Sequence, residues 1–546
     1  AGPASEGEAL EALLSDRVCP ECQGERLRAE SRTVVVHGLR LPQVAALPLA
    51  EVRAWAEGLA SPLAVNLRSD LLRRLQALED AGLGYLTLDR EIATLSGGEA
   101  QRLRLASALG GGLTGVAYML DEPTQGLHPR DTRRLVEVLR GLSEAGNAVV
   151  VVEHDRDVVA QADHVIELGP GAGPEGGLVL AAGSPTELAA RGGSRTAALL
   201  RREAGQPAAS RKLEPGVTLR GASLHNLQDL DVAIPAGALV AVTGVSGSGK
   251  SSLVRGVLEP SLVSWNRGGG PVGCRELQVH AELQDVLALA QQGGPGGGAS
   301  SVLTLAGLAE PLRKRFAATP EAKARKLTAR HFSTASAGGR CEACEGRGYL
   351  TVAMDLMPDV QVVCEACGGS RFLPEVLACT VDGLTFPQVL EATVVEAAAR
   401  FTQRGFEPLK ALRDIGLGYL RLGQEARTLS GGELQRFRLA GLLAAPGGRA
   451  AVLLDEPARG LGFEDVDRLV AALRTLAGAG HLVVAVEHDL DLIASADWIL
   501  DLGPEGGPGG GRLVAQGTPR DLAADPDSYT GRALAGRLTR AAPGLS

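Results

Sequence analysis

The segment GLGYLTLDREIATLSGGEAQRLRLA, beginning at Gly82, returns as GLGYLRLGQEARTLSGGELQRFRLA, beginning at Gly416, an offset of 334 residues. The same offset carries LDEP from Leu120 to Leu454, VEHD from Val152 to Val486 and LGP from Leu168 to Leu502. Four matches at one spacing make the chain two copies of one structural unit, so both halves must be compatible with a single fold. Farther upstream, Cys19-Pro-Glu-Cys22 followed by QGERL answers Cys364-Glu-Ala-Cys367 followed by GGSRF at an offset of 345, an 11-residue length difference between the halves. The polar, small-residue stretch from Glu203 to Gly216 reads as the connection, which predicts units at 1–205 and 216–546 joined by a linker at 206–215. With 546 residues, 45% of them hydrophobic, each half has enough apolar surface for its own core.

The second half opens with short apolar alternations and the run ALVAVTG, a buried strand by its β-branched residues and its glycine stop. It enters Gly244-Val-Ser-Gly-Ser-Gly-Lys-Ser251, which fits the phosphate-loop pattern G-x-x-x-x-G-K-[ST] in the strand-to-helix context that the chemistry needs. The glycines Gly244, Gly247 and Gly249 let backbone N–H groups turn inward to a phosphate, with Ser246, Ser248 and Ser252 in or beside the cradle. Lys250 is placed to bridge the β- and γ-phosphates of ATP, and Ser251 to ligate magnesium. Nothing in residues 1–205 matches this loop. LSGGE begins at residue 95 in the first half but about 180 residues after the loop in the second, so the first half is expected to lack its front end.

The hydrophobic runs VAYML and AVLLD each end in Asp-Glu, at Asp121-Glu122 and Asp455-Glu456. Such a pair is by itself most often a surface turn. Its spacing says more: Glu122 follows Ser96 by 26 residues and precedes His154 by 32, and Glu456 repeats both intervals with Ser430 and His488. An aspartate at a buried strand's end holds hydrated magnesium, the next glutamate orients or deprotonates a water, and the histidine reads as a γ-phosphate sensor. These roles fall to Asp455, Glu456 and His488 in the half that carries the loop. Leu-Ser-Gly-Gly-Glu is a helix start, with Ser96 or Ser430 as N-cap and glutamate three residues on. A helix start also binds anions. Combined with the loop, the Asp-Glu strands and the histidines, it resembles the signature of ABC-type ATPases. That likeness implies an α/β fold of two ABC-type modules in which Ser96, Gly97 and Gly98 close over a nucleotide held by Lys250, and it implies a glutamine-bearing loop, for which Gln291 beside Gln292 is the best placed.

Cys341-x2-Cys344 and Cys364-x2-Cys367, separated by 19 residues, have the spacing of a tetrahedral, structural zinc site within an insertion at about 311–380. The alternating TVAMDLMPDVQVV between them predicts a hairpin turning near Pro358-Asp359. Cys19 and Cys22 are expected to lack protein partners, and Cys274 and Cys379 to be core residues. Just before the cysteines, Arg313, Lys314, Arg315, Lys323, Arg325, Lys326, Arg330 and Arg340 stand against one acid, Glu321. A charge run is commonly only a solvated face; leading into a zinc module, it also fits a track for the phosphate backbone of DNA. Because the whole chain is acidic, at -9, nucleic-acid contact has to be local, and 3% aromatics argue against base stacking as its main mode. No run of 18 apolar residues and no basic-then-apolar leader occurs, so a cytoplasmic protein with no membrane association is expected.

The text GVSGSGKSSL, RFAATPEAKAR, GGRCEACEGRG, MPDV, LSGGE-x-QR-x-RLA, DEP and ADWILDLGPEGGPGGG together resembles the UvrA family, damage-recognition ATPases of bacterial nucleotide excision repair, across nearly the whole chain. The resemblance implies binding of damaged duplex DNA, turnover of ATP with magnesium, zinc and a homodimer; it leaves docking of UvrB open, because the family's UvrB-binding region and flexible insertion domain, which belong to its first half, have no counterpart in this sequence. Some positions depart from the family. GGPGGGASS follows Gln291 where the family has arginine and threonine, and Ala458 and Gly462 stand where it carries a hydroxyl and a histidine. Two other readings stay open: a UvrA-like protein conferring tolerance to DNA-binding drugs, and a remnant that binds DNA or partners without hydrolysis.

Overall fold

The computed structural model describes residues 17–60, 65–92, 95, 97–110, 114–170, 176–191, 193–201, 213–289, 300–352, 360–444 and 448–538. In the first half, the signature helix α1 (Gly97–Gly110) leads to strand β1 (Ala117–Asp121), helix α2 (Pro129–Glu144) and strand β2 (Ala148–Val152). Strands β3 (Val165–Gly169) and β4 (Leu178–Gly183) and helix α3 (Arg195–Arg201) follow. β1 and β2 are parallel, pairing Asp121 with Val152, whereas β3 and β4 are antiparallel. Leu135, Leu139 and Leu142 recur at helical spacing on α2 and bury against Tyr118, Leu120, Val149 and Val151 of the strands. A separate helical body upstream is cored by Val52, Leu75, Leu83 and Ala106.

The second half begins with β5 (Glu214–Ala222), which starts inside the stretch expected to be linker, then β6 (Leu230–Ala236) and the phosphate-loop strand β7 (Leu239–Gly244). After a π-helical segment, Ser252–Leu258, come helix α4 (Glu259–Asn266) and strands β8 (Glu276–Val279) and β9 (Asp285–Leu289). A helical insertion starts with α5 (Ala309–Ala317) and carries the hairpin strands β10 (Tyr349–Val352) and β11 (Val360–Val363). The module closes with α6 (Gly431–Ala444), β12 (Ala450–Asp455), α7 (Phe463–Gly478), β13 (Leu482–Val486), β14 (Trp498–Gly503), β15 (Arg512–Gly517) and α8 (Tyr529–Leu538).

The main sheet has the order β9-β12-β13-β7-β14-β15, parallel except for β15, and β8-β5-β6 form a second, antiparallel sheet. β7 and β13 are buried along their whole length, as the continuous apolar runs of a doubly covered parallel sheet demand. The equivalent of β13 in the first half, β2, alternates between exposed and half-buried residues. Among the described residues, its sheet consists of the two separate pairs β1–β2 and β3–β4, with no strand in the place that β7 takes between β13 and β14. The few aromatic residues are concentrated: Phe316, Phe332, Phe372 and Phe386 meet with ring centroids 5.1–5.9 Å apart and core the insertion. Among the described residues, no helix is long and apolar enough to cross a membrane.

Candidate functional site

Parallel strands place their carboxyl ends on one edge of a sheet, where ligand sites of open α/β folds form. Here that edge carries Gly244 at the end of β7, Asp455 at the end of β12 and His488 two residues past β13. Gly244 has φ +134°, and a Cβ there would collide with the Leu502 carbonyl, so the turn into the loop requires glycine. Lys250 is 7% exposed, and its ammonium donates to the carbonyl oxygens of Gly244 (2.9 Å) and Val245 (2.8 Å). Burial pulls its pKa down to about 8, against the opposing pull of Glu456, Asp131, Asp501 and Asp455. The Ser246 and Ser248 hydroxyl oxygens are buried with no hydrogen-bond partner. Buried polar atoms in a folded protein are almost always paired, so a cradle with two unpaired hydroxyls beside a buried ammonium fits an anionic ligand. The Asn226 amide braces the cradle by donating to the Gly247 and Gly507 carbonyls at 3.0 and 3.2 Å, and His225 Nδ1 lies 3.2 Å from the Ser252 hydroxyl. Ser251, next to Lys250, is exposed.

Asp455 is paired with Arg255 at 3.1 Å, and Glu456 lies 3.7 Å from Arg459. Glu456 has φ +46° and Glu122 has φ +44°, a backbone region that non-glycine residues rarely hold except where surrounding structure imposes it. Burial, with Asp455 alongside, raises the Glu456 carboxyl. His488 Nδ1 is enclosed without a partner, and burial together with Lys250 holds the ring well below its usual range, hence neutral. Glu487, before it, accepts backbone N–H groups of Ala458, His488 and Asp489 and fixes the turn; burial pushes it up to about 8. Gln291 and Ser96 lie outside the described residues, while Gly97 and Gly98 open α1.

The two halves meet at this edge about a local pseudo-two-fold relation. Arg459 donates to Gln125, its own equivalent at the repeat offset, so this pair sits near the pseudo-axis. A Cβ on Gly126 would meet Glu456 Oε1 at 3.0 Å, and one on the equivalent Gly460 would meet Glu122 at 3.7 Å. Arg130 forks onto Glu505 at 3.0–3.1 Å and lies 4.3 Å from the Tyr529 ring centre. At the equivalent positions Arg195 faces Glu464 at 3.6 Å. Tyr85 packs its ring 2.9 Å from the Cβ position of phosphate-loop Gly247 and hydrogen-bonds Glu99 of the signature helix. Arg102, 3% exposed on the same helix, contributes its charge at Glu456 and His488. Sequence reasoning assigns no role to Tyr85, Arg102 or Gln125: Tyr85 and Arg102 lie in the repeated segment that begins at Gly82, Arg102 within LSGGE-x-QR-x-RLA, and Gln125 only shares its repeat position with Arg459. In the other pairing, His154 lies 3.6 Å from Glu122, and Gln125 donates to Glu122 at 3.0 Å.

The four cysteines of the insertion converge, their Sγ atoms all within 4.8 Å of one another, with Cys341–Cys364 at 4.0 Å and Cys344–Cys367 at 3.8 Å. Four sulfurs at the vertices of a tetrahedron with bonds of about 2.3 Å stand about 3.8 Å apart, so this donor set is compatible with zinc. The Gly348 N–H donates to Cys344 Sγ at 3.2 Å, a bond suited to a thiolate. The β10–β11 hairpin is present, and its turn lies outside the described residues. Cys379 is fully buried and Cys274 is packed at the edge of the core beneath β7, as ordinary apolar residues.

The basic stretch divides. Arg313 donates to the Phe332 carbonyl at 3.1 Å; Arg315 bonds Gln403 and Asp382 and lies over Phe401; Arg340 faces Glu342 at 3.5 Å and is half-buried. These three brace the insertion. Lys314 pairs with Glu310 at 3.3 Å in the open, and Lys323, Arg325, Lys326 and Arg330 are exposed.

No family model matches the chain. Compared with solved structures, the chain resembles the crystal structure of UvrA2 from Deinococcus radiodurans with a TM-score of 0.84 and 40% identity, covering 98% of this chain and 68% of that one. The chain belongs to the UvrA family. Among curated proteins, this UvrA-family chain is 44% identical to UvrABC system protein A of Micrococcus luteus, over 97% of its own length and 55% of that protein's. It is 43% identical to the protein of the same name from Aquifex aeolicus, over 96% of its own length and 58% of that protein's. The chain therefore spans little more than half the length of the curated relatives it matches.

Proposed function

We propose that the chain carries one composite ATP-hydrolysing site, built by the second module and closed by the first, in a protein that recognises damaged duplex DNA and couples that recognition to nucleotide turnover. The observation that carries this reading is the convergence of buried Lys250 and partnerless Ser246, Ser248 and His488 Nδ1 beneath the first module's Arg102 and Tyr85. Lys250 holds the phosphates in place of the two carbonyl oxygens it now contacts. Ser251 and Asp455 would hold magnesium, which offsets the charge on the phosphates. Glu456, its basicity raised by burial, orients the attacking water and takes its proton. Neutral His488 bonds the terminal phosphate, and the start of α1, with Ser96, Gly97 and Gly98, closes the opposite side.

Zinc held by Cys341, Cys344, Cys364 and Cys367 has a structural role, because four thiolates leave no open coordination position. DNA lies along exposed Lys314, Lys323, Arg325, Lys326 and Arg330, with Arg313, Arg315 and Arg340 supporting that surface from within. Assembly into a homodimer and docking of UvrB belong to the same reading. The test is a pair of variants. Glu456→Gln is expected to bind ATP normally and lose at least about 100-fold in turnover, the scale of a lost general base, whereas Glu122→Gln retains most activity. Normal turnover by Glu456→Gln, or its loss in Glu122→Gln alone, refutes the assignment.

A further inference from the structure

A buried line of hydrogen bonds crosses between the modules behind the phosphate loop. His128 caps the start of α2: its Nδ1 accepts from the Arg130 backbone N–H at 3.2 Å, so the ring proton is on Nε2, which faces Thr530 Oγ1 at 3.0 Å. Thr530 donates to Asp501 Oδ1 at 2.8 Å, and its remaining lone pair faces the Thr243 hydroxyl at 3.2 Å. Thr243 is the residue immediately before Gly244, where the phosphate loop begins. His128, Thr530 and Thr243 are completely buried, and Asp501 is 3% exposed. Ser528 donates to the second Asp501 oxygen at 2.6 Å, so both oxygens of that carboxylate have a donor.

The repeat shows that this line runs in one direction only. The positions equivalent to His128, Thr530 and Asp501 are Gly462, Thr196 and Glu167. Glu167 takes the backbone N–H groups of Arg195 and Thr196, at 2.9 and 3.3 Å, and glycine at 462 offers no side chain to cross the interface. We propose that His128 of the first module is a positioning residue for the second module's phosphate loop, holding Thr243 through Thr530 when the modules are docked. The cradle's own donors belong to the second module, so nucleotide affinity does not depend on His128. What His128 supports is the docked arrangement that hydrolysis needs, a role that rests on the ATPase reading above.

Hydrogen exchange on the full chain, followed by mass spectrometry of peptides covering residues 239–250, tests the coupling without any turnover. His128→Ala is expected to speed exchange there about ten-fold, the effect of one buried hydrogen bond, and to lower kcat by a similar factor while leaving the Kd for a fluorescent ADP analogue within two-fold. His128→Gln keeps an N–H donor near the Nε2 position and restores both. His128→Ala/Thr530→Val is no worse than the more impaired single variant, since both act on one line. The proposal is overturned if exchange is unchanged, if glutamine is as impaired as alanine, if the two substitutions add in full, or if ADP affinity falls in step with the melting temperature. A wild-type chain that hydrolyses no ATP would count against the ATPase reading, and the exchange and ADP measurements would still decide the line.

Discussion

Lys250 ties nucleotide affinity to pH in a way that can be worked out beforehand. Without phosphate, burial lowers its ammonium to about 8 although four carboxylates pull the other way. Bound phosphate adds negative charge in direct contact, which returns the lysine to its ordinary value near 10.4 or above. Binding then takes up a proton wherever the free site has lost one, and affinity falls as pH rises through about 8. The factor is one plus ten to the power of pH minus the free pKa: about two at pH 8 and about ten at pH 9, or roughly 1.4 kcal/mol. Titration calorimetry with ADP at pH 7, 8 and 9, in buffers of different ionisation heat, reads both the affinity and the proton uptake. Lys250→Arg is the control, because guanidinium stays charged throughout this range and its affinity, whatever its absolute level, is flat with pH. An unchanged wild-type Kd from pH 7 to 9, or a parallel fall in the arginine variant, would refute the argument that a buried, depressed lysine holds the phosphate.

Metal analysis of protein purified without chelators is expected to find one zinc per chain, since the four-cysteine cluster of the insertion is the one complete donor set among the described residues; Cys344→Ser lowers that ratio and destabilises the insertion. Replacing Lys323, Arg325, Lys326 and Arg330 with alanine weakens duplex DNA binding at every sequence and makes the log–log salt slope shallower by about 0.9 for each phosphate no longer neutralised, whereas an unchanged slope places the DNA elsewhere. Arg315→Ala, by contrast, shows mainly as a loss of thermal stability, because its guanidinium is tied to Gln403 and Asp382. Gly126→Ala is expected to cost at least about 1 kcal/mol through its positive φ of +69° and to lower kcat by pressing on Glu456, which circular dichroism melts and steady-state kinetics separate.

The repeat, the phosphate loop, the Asp-Glu strand ends and the cysteine spacing are legible in the sequence because each is a local pattern. A strand followed by a glycine turn, or two cysteines two residues apart, specifies its own backbone geometry with little help from the rest of the chain. Strands β1, β7 and β12 lie where their apolar runs put them. The basic stretch is legible only as charge: whether an arginine faces solvent or braces a carbonyl depends on which side of α5 packs inward, and Arg313 and Arg315 brace. The contacts between modules are not legible at all. Gln125 and Arg459 are 334 positions apart, and Tyr85 rests on a loop that begins at residue 244, so no window of sequence joins them. In sequence His128 is marked only as the histidine whose counterpart in the second half is Gly462, with nothing to say what it touches; docking buries it against Thr530. What chemistry the chain carries is set by short-range residue order; which half completes which site, and in which direction the halves are linked, is a matter of long-range packing, decided only once both modules are folded against each other.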